Sequence, residues 1–294
     1  MPEKISFFDA IEANKRNSLI LIAVIFFVFM LSVSALSYIF DFGICGPMLG
    51  FFALLLYTVI VYFQGDSIIL ALSGAREAKK EQYPFLYNVV EGLALACQIP
   101  MPRVYIMDDP SPNAFATGRD PAHSAIAVTS GLLSMMKREE LEGVIGHEMS
   151  HIANYDIRFS MLAVVFVGAI SLLGEFAWRT MSFGGRGDRD RGGGALMIIA
   201  LFFVILAPIF AQIVRLAISR QREYLADASG AKLTRYPEGL ASALEKIKGA
   251  SIPTRAANDT TASLYFSNPF PQKIGFLGST HPPIDERIKR LRAM

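Results

Sequence analysis

The segment His147-Glu148-Met149-Ser150-His151 decides how this chain is interpreted. Two histidines four positions apart lie on one face of a helix, one turn from each other, so both imidazoles can reach one ion. Glu148 stands between them and can take a proton from an attacking water and later pass it to the leaving amine. The segment therefore predicts a metallopeptidase site with Glu148 as the catalytic residue and His147 and His151 as metal ligands.

A five-residue motif of this kind arises by chance in unrelated proteins, so its sequence context has to support the interpretation. The predicted helix has an apolar face, and acidic residues suit its first turns. The chain has only four histidines, and two of them fall in this pattern. The alternative is an ordinary amphipathic helix whose histidines are bonded to carboxylates. Asn154 and Asp156, which follow directly, are interpreted as a helix end or as support for the ligands.

A catalytic zinc ion takes three protein ligands and keeps one position open. Glu223, on a second predicted helix, is the candidate for the third ligand, and a His2Glu set indicates zinc, one ion per chain. Asp227 lies one turn beyond Glu223, where it can orient a metal-binding imidazole, most simply that of His147. The alternatives are a surface pairing of Glu223 with Arg220 or Arg222, and an ordinary helical role for Asp227.

The mean hydropathy of the 294-residue chain is +0.39, which is high for a soluble domain. Four apolar blocks account for it, each near the roughly 20 residues that span a bilayer as a helix. The first two form a predicted hairpin, whereas the second two could instead be a buried helical hairpin of the protease domain. These blocks are residues 18–40, 46–63, 159–178 and 195–214.

The charge distribution predicts the orientation. The net charge of +2 gives no case for a nucleic-acid partner. Lysines and arginines before the first block and after the second place the N-terminus and the main domain in the cytoplasm. The four arginines of residues 179–194 would then lie outside, against this rule.

The first block has no cleavage site and is predicted to be a retained anchor. Cys45 and Cys97 are too few for a disulfide framework and are predicted to be free thiols.

The expected fold is α+β and mostly helical, a multi-pass membrane protein with four transmembrane helices and a metalloprotease domain with a small sheet. Short strands are predicted at 104–107, 113–118 and 124–129, and helices at 76–97, from 137, at 215–234, at 237–248 and from 283. The predicted organisation is a cytoplasmic tail (1–17), a transmembrane hairpin (18–63), a protease segment with the HExxH motif (66–158), a second transmembrane pair (159–214) and a protease segment with the third zinc ligand (215–294).

The order of these motifs resembles a known family. HEMSH, two hydrophobic segments, Glu-Tyr-Leu-Ala-Asp at 223–227 and Ser-Thr-His-Pro-Pro at 279–283 are similar to the HtpX family of bacterial membrane zinc proteases, relatives of the CAAX prenyl endopeptidases. The similarity covers the whole chain. It implies a gluzincin-type endopeptidase of the bacterial inner membrane with a cytoplasmic active site. Such proteins are associated with heat shock and membrane-protein quality control.

The resemblance also implies roles for three further residues. Asn113 and Ala114 would belong to an edge strand that pairs with the substrate backbone, with the Asn113 side chain holding the amide near the scissile bond. His281 would stabilise the oxyanion, or fill the open zinc position in a resting state. The alternatives are a plain turn and strand at Asn113 and structural packing at His281.

The spacing of motifs and blocks places the site within roughly 15 Å of the membrane surface. We therefore expect membrane-protein and unfolded polypeptide substrates and a lipid bilayer as partner. The resemblance implies other membrane quality-control proteases as candidate partners. Two alternatives remain. A prenyl-protein processing protease is disfavoured by the short chain and the four spans. A non-catalytic scaffold or chaperone with a structural zinc is disfavoured by Glu148, which such a site does not need.

Overall fold

A four-stranded mixed sheet organises the region of the chain that the computed structural model describes, namely residues 7–39, 43–166, 168, 220–250, 252–258, 261–270 and 282–294. The strands are β1 (Arg76–Glu77), β2 (Arg103–Met107), β3 (Ala114–Asp120) and β4 (His123–Thr129). Their order is β1-β2-β4-β3, so β3 lies at one edge. The β2–β4 pair is parallel, and the β1–β2 and β3–β4 pairs are antiparallel.

The helices surround this sheet. They are α1 (Phe7–Ile39), α2 (Cys45–Leu72), α3 (Pro84–Cys97), α4 (Ser130–Met135), α5 (Arg138–Ala153), α6 (Arg220–Thr234), α7 (Pro237–Ala250) and α8 (Ile284–Arg292), with a 3-10 turn at Ala262–Leu264. Residues 156–166 are also helical. The described residues are thus mostly helical with a small mixed sheet, as the sequence predicts.

Both faces of the sheet are buried under helices. Successive strand residues point to opposite sides, so β2, β3 and β4 each contribute to two apolar clusters. Val104, Ile106, Ile126 and Val128 join a cluster with α3, α5, α7 and α8. Met107, Phe115, Ala125 and Ala127 join a second cluster with α1, α2 and residues 159–166. The apolar character of the strands on both faces follows from this double covering.

The helices α1 and α2 contain the two segments that are long and apolar enough to cross a membrane among the described residues. These segments are Ile11–Leu31 and Cys45–Leu72, and they overlap the first two predicted blocks. With 33 residues, α1 is about 50 Å long, longer than the roughly 30 Å hydrocarbon core. One end of α1 therefore has to extend beyond the bilayer.

The remaining predicted blocks are described over a short stretch only. Residues 159–166 are helical and, apart from Ser160, buried, whereas 169–214 lie outside the described residues. The predicted boundary near residues 63–66 falls inside α2, which continues to Leu72.

The strands predicted at 104–107, 113–118 and 124–129 are confirmed as β2, β3 and β4. The prediction that a helix starts at residue 76 is wrong about its first residue. Arg76 pairs with Ile106 of β2, and the helix starts at Pro84, whose fixed φ suits a first helical position. Periodicity could not reveal β1, because two residues become a strand only through their distant partner.

Two glycines let α5 and α6 approach closely. A Cβ on Gly230 would lie 2.8 Å from the backbone nitrogen of His147 and 3.0 Å from the carbonyl carbon of Gly146. The nearby backbone atoms cannot move aside as a flexible side chain could. This contact therefore fixes the spacing between the two helices that carry the candidate metal ligands.

We expect Gly230→Ala to lower the stability by about 1–3 kcal/mol through overpacking, in spite of a gain of up to about 1 kcal/mol in helix propensity. Gly249→Ala is the matched control, since a Cβ there meets nothing within 4 Å. Thermal unfolding of the purified proteins measures both. Equal midpoints for the two variants would contradict the close approach of the two helices as the source of the effect.

Candidate metal centre

The two histidines of the HExxH segment lie side by side on α5. Their Nε2 atoms are 3.1 Å apart, and the side chain of His147 is almost completely buried. Glu148 is also buried, at 2% exposure. The one-turn spacing thus brings both imidazoles to one point, as the sequence predicts.

Glu223 reaches the same point from α6. Its carboxylate oxygens lie 3.7 Å from Nε2 of His147 and 3.6 Å from Nε2 of His151. The three candidate ligand atoms all lie within 4.8 Å of one another. Tetrahedral zinc with bonds of about 2.0–2.1 Å separates its ligand atoms by about 3.3 Å, so these residues fit such an ion after small adjustments.

Each imidazole is oriented by a carboxylate on its far side. Nδ1 of His147 donates to Asp227 over 2.9 Å, and Nδ1 of His151 donates to Asp156 over 2.9 Å. These hydrogen bonds leave both Nε2 atoms directed at Glu223, which is the arrangement that metal-binding histidines commonly show. Asp227 thus lies where its spacing from Glu223 predicts, and Asp156 supports His151 in the same way.

Arg287 on α8 also belongs to the site, although its sequence position did not identify it as a site residue. Its Nε and Nη2 atoms donate to the two oxygens of Asp227 over 2.9 and 2.7 Å. A third nitrogen donates to the carbonyl oxygen of Phe266 over 3.1 Å, and the side chain is 1% exposed. A sequence signal does exist, because Arg287 lies on the apolar stripe that Ile284, Ile288 and Leu291 form.

Burial and neighbouring charges give the two histidines opposite protonation behaviour. Burial lowers the pKa of His147 to about 4, since Asp227 offsets the loss of solvation only in part. Burial also acts to lower the pKa of His151, but the hydrogen bond to Asp156 and the charge of Glu223 outweigh it and raise the pKa to about 9. His151 is therefore the more basic of the two imidazoles.

Two of the buried carboxyl groups of the site, those of Glu148 and Asp227, also differ in their pKa values. Burial raises the pKa of Glu148 to about 7, while the positive His151 counteracts the shift in part. For Asp227, burial alone would raise the pKa, but Arg287 and His147 hold it well below its usual value. Asp227 thus stays ionised as a counter-ion, whereas Glu148 is poised to exchange a proton near neutral pH.

A cleft of about 480 Å³, which includes space open to solvent, borders His147, Glu148 and His151. It is lined by the HExxH residues and Glu223, by Ala116 of β3, and by residues 263–266, which form one wall. The Phe266 ring packs edge-on against His147, with centroids 4.9 Å apart. The cleft thus reaches the two histidines between β3 and this wall.

The residues predicted to bind substrate, Asn113 and Ala114, make hydrogen bonds within the chain itself. The Asn113 amide nitrogen donates to Thr254 and to the carbonyl oxygen of Ser267, both over 3.1 Å, and its oxygen accepts from the Ser267 backbone over 3.2 Å. The oxygen of Ala114 accepts from the Phe266 backbone over 2.8 Å. Residues 266 and 267 of the chain itself thus occupy this stretch of the β3 edge. A single strand pattern could not show that a distant loop covers it.

His281, the other predicted catalytic residue, lies outside the described residues.

Comparisons with known proteins show what this chain is similar to. Residues 80–294 match the model of peptidase family M48. A protein named Protease HtpX homolog from Dictyoglomus turgidum is 50% identical over 291 residues, covering 98% of this chain and 95% of the relative. Its namesake from Streptococcus gordonii is 46% identical over 297 residues, covering 98% and 99%. The crystal structure of Ste24p from S. mikatae aligns with a TM-score of 0.49 at 20% identity, over 88% of this chain and 61% of that one.

Removing the charge of Arg287 would leave Asp227 buried without its counter-ion. We expect Arg287→Met to lose about 3–5 kcal/mol of stability and about 10–100-fold in metal affinity. Arg290→Met on the same helix is the control, because Arg290 is exposed and bonded to Glu286. Metal content after dialysis and the unfolding midpoint measure both effects. Retention of metal and stability at the level of the control would refute this role for Arg287.

Proposed function

The chain belongs to peptidase family M48, and on that premise we propose that it is a membrane-anchored zinc endopeptidase that cuts misfolded or damaged membrane proteins. It is a membrane metalloprotease by its family and its apolar helices. The convergence of His147, His151 and Glu223 beside the buried Glu148 is the observation that supports the finer assignment most.

Zinc is the proposed metal, one ion per chain, with His147, His151 and Glu223 as ligands in the gluzincin arrangement. Two imidazoles and one carboxylate suit zinc better than magnesium or calcium, which prefer oxygen ligands. Three protein ligands also leave a position for substrate. When bound, the cation would polarise the scissile carbonyl group and stabilise charge on its oxygen.

The protein residues supply the proton transfers. Glu148 lines the cleft, and its raised pKa of about 7 lets it accept a proton from the attacking water and return it to the leaving amine. Asp227 and Asp156 hold the imidazoles in position throughout. His281 remains a candidate for stabilising the oxyanion.

The substrate backbone would pair with β3 beyond Ala114, beside Glu148, which is hydrogen-bonded to the Ala116 backbone. Ala116 lines the cleft two residues beyond Ala114, so its backbone groups point to the same edge of the sheet. Pairing through backbone groups makes few demands on side chains, which suits unfolded polypeptides of varied sequence.

We place the protein in the bacterial cytoplasmic membrane as a multi-pass protein, with residues 1–17 and the protease segments 66–158 and 215–294 in the cytoplasm. The hairpin of 18–63 and the pair within 159–214 would give four spans. Membrane-protein substrates and other membrane quality-control proteases are its proposed partners. The contact of α1 with residues 154 and 156 supports a site close to the bilayer.

We expect Glu148→Gln to reduce cleavage of casein by about 10²–10⁴-fold while zinc stays bound, because the amide cannot accept the proton. Glu139→Gln, an exposed position on the same helix, should behave like the wild type. Chelation should abolish wild-type activity and added zinc should restore it. Full activity in Glu148→Gln would refute the mechanism, and a wild type that holds zinc but cuts nothing would indicate a scaffold.

The native cysteines test the orientation. Cys45 starts α2 beside the turn of the hairpin and is exposed, so we expect a membrane-impermeant maleimide to label it on intact cells. Cys97 should stay unlabelled there, and it should react slowly after lysis because burial raises its pKa to about 11. Cys45→Ser is the control. Labelling of that variant on intact cells would reverse the proposed orientation.

A further inference from the structure

The buried face of α1 carries one amide side chain toward the metal centre. Asn14, Ser18, Leu21 and Ile25 are buried and recur at helical spacing. Leu21 and Ile25 belong to the cluster that includes residues 159–166. Asn14 stands at the end of this stripe, 4% exposed, where α1 meets the chain just after the HExxH helix.

The Asn14 amide uses both its donors and its acceptor at this point. Its nitrogen donates to the Asn154 carbonyl oxygen over 2.9 Å and to Oδ1 of Asp156 over 2.7 Å. Its oxygen accepts from Nη1 of Arg222 over 3.5 Å. The opposite amide orientation would set an oxygen against two acceptors, so these contacts define the orientation.

These contacts reach the metal centre through Asp156. One oxygen of this carboxylate accepts from Nδ1 of His151, and the other is held by Asn14 and by Arg222, over 3.3 Å from the arginine. The Asn154 carbonyl that Asn14 binds lies at the C-terminal cap of the HExxH helix, where carbonyl groups lack partners within the helix. Asn14 thus touches both the end of the ligand helix and the carboxylate that orients a ligand.

We propose that Asn14 is a positioning residue through which the first membrane helix holds Asp156, and so His151, in the geometry that retains the metal. The inference rests on the proposed function, because it takes His151 as a ligand. On this proposal, the metal centre is complete only when α1 is docked on residues 154–156. The rest of the site comes from the domain that follows α2.

The test replaces Asn14 by leucine, which has a similar size but no hydrogen-bonding group, in the full-length protein in detergent. Asn17→Leu is the matched control, since Asn17 is exposed on the same helix. Zinc release to a chelator should be about 10-fold faster in Asn14→Leu than in the control. This is the lower end of the loss in metal affinity that follows mutation of residues supporting metal ligands. The kcat on casein should fall with KM unchanged. Asn14→Ala, which removes bulk as well as the amide, should give the same release rate if the hydrogen bonds matter and not the packing.

A background variant identifies the path of the effect. In Asp156→Ala, which has no carboxylate to hold, Asn14→Leu should not accelerate zinc release further. An equal acceleration in that background, or release from Asn14→Leu at the rate of Asn17→Leu, would overturn the proposal. A wild type that binds no zinc would instead refute the proposed function, so the two failures are distinguishable.

Discussion

The ion pair between Asp227 and Arg287 is the interaction on which the metal centre depends. A carboxylate as deeply buried as Asp227 is costly unless it is paired and hydrogen-bonded. Arg287 binds both its oxygens from α8, and His147 binds one of them from α5. One charged group on α6 therefore joins three helices that are distant in sequence. Because Asp227 stays ionised, it fixes the orientation of the His147 ring before any ion arrives.

The second histidine is held by a different region of the molecule. Asp156 follows α5 directly and binds His151, and its partners are Arg222 at the start of α6 and Asn14 in α1. Each imidazole thus has a carboxylate partner. Asp227, the partner of His147, lies within the protease core, whereas Asp156, the partner of His151, lies where that core meets the first membrane helix. A change in how α1 docks would therefore alter the orientation of His151 more directly than that of His147.

Sequence reasoning succeeded where the determining contacts are local. The four-residue spacing of His147 and His151 fixes their common face, and the same spacing places Asp227 beside Glu223. The strands β2, β3 and β4 follow from short apolar runs between turns. It failed where distant segments decide. Strand β1 exists through its pairing with β2. The contacts of Asn113 with residues 254 and 267 also join distant segments, and no local pattern indicates them. The role of Arg287 needs a carboxylate 60 residues away, which no local pattern supplies.

The ligands come from two helices, α5 and α6, and the distance between these helices decides the ligand geometry. That distance is set by the contact of α5 with α6, where Gly146 and Gly230 let the two backbones meet. A side chain on Gly230 would press directly on the backbone of His147. What must be preserved is the small-residue contact, since the distance from Glu223 to the histidines follows from the distance between the two helices.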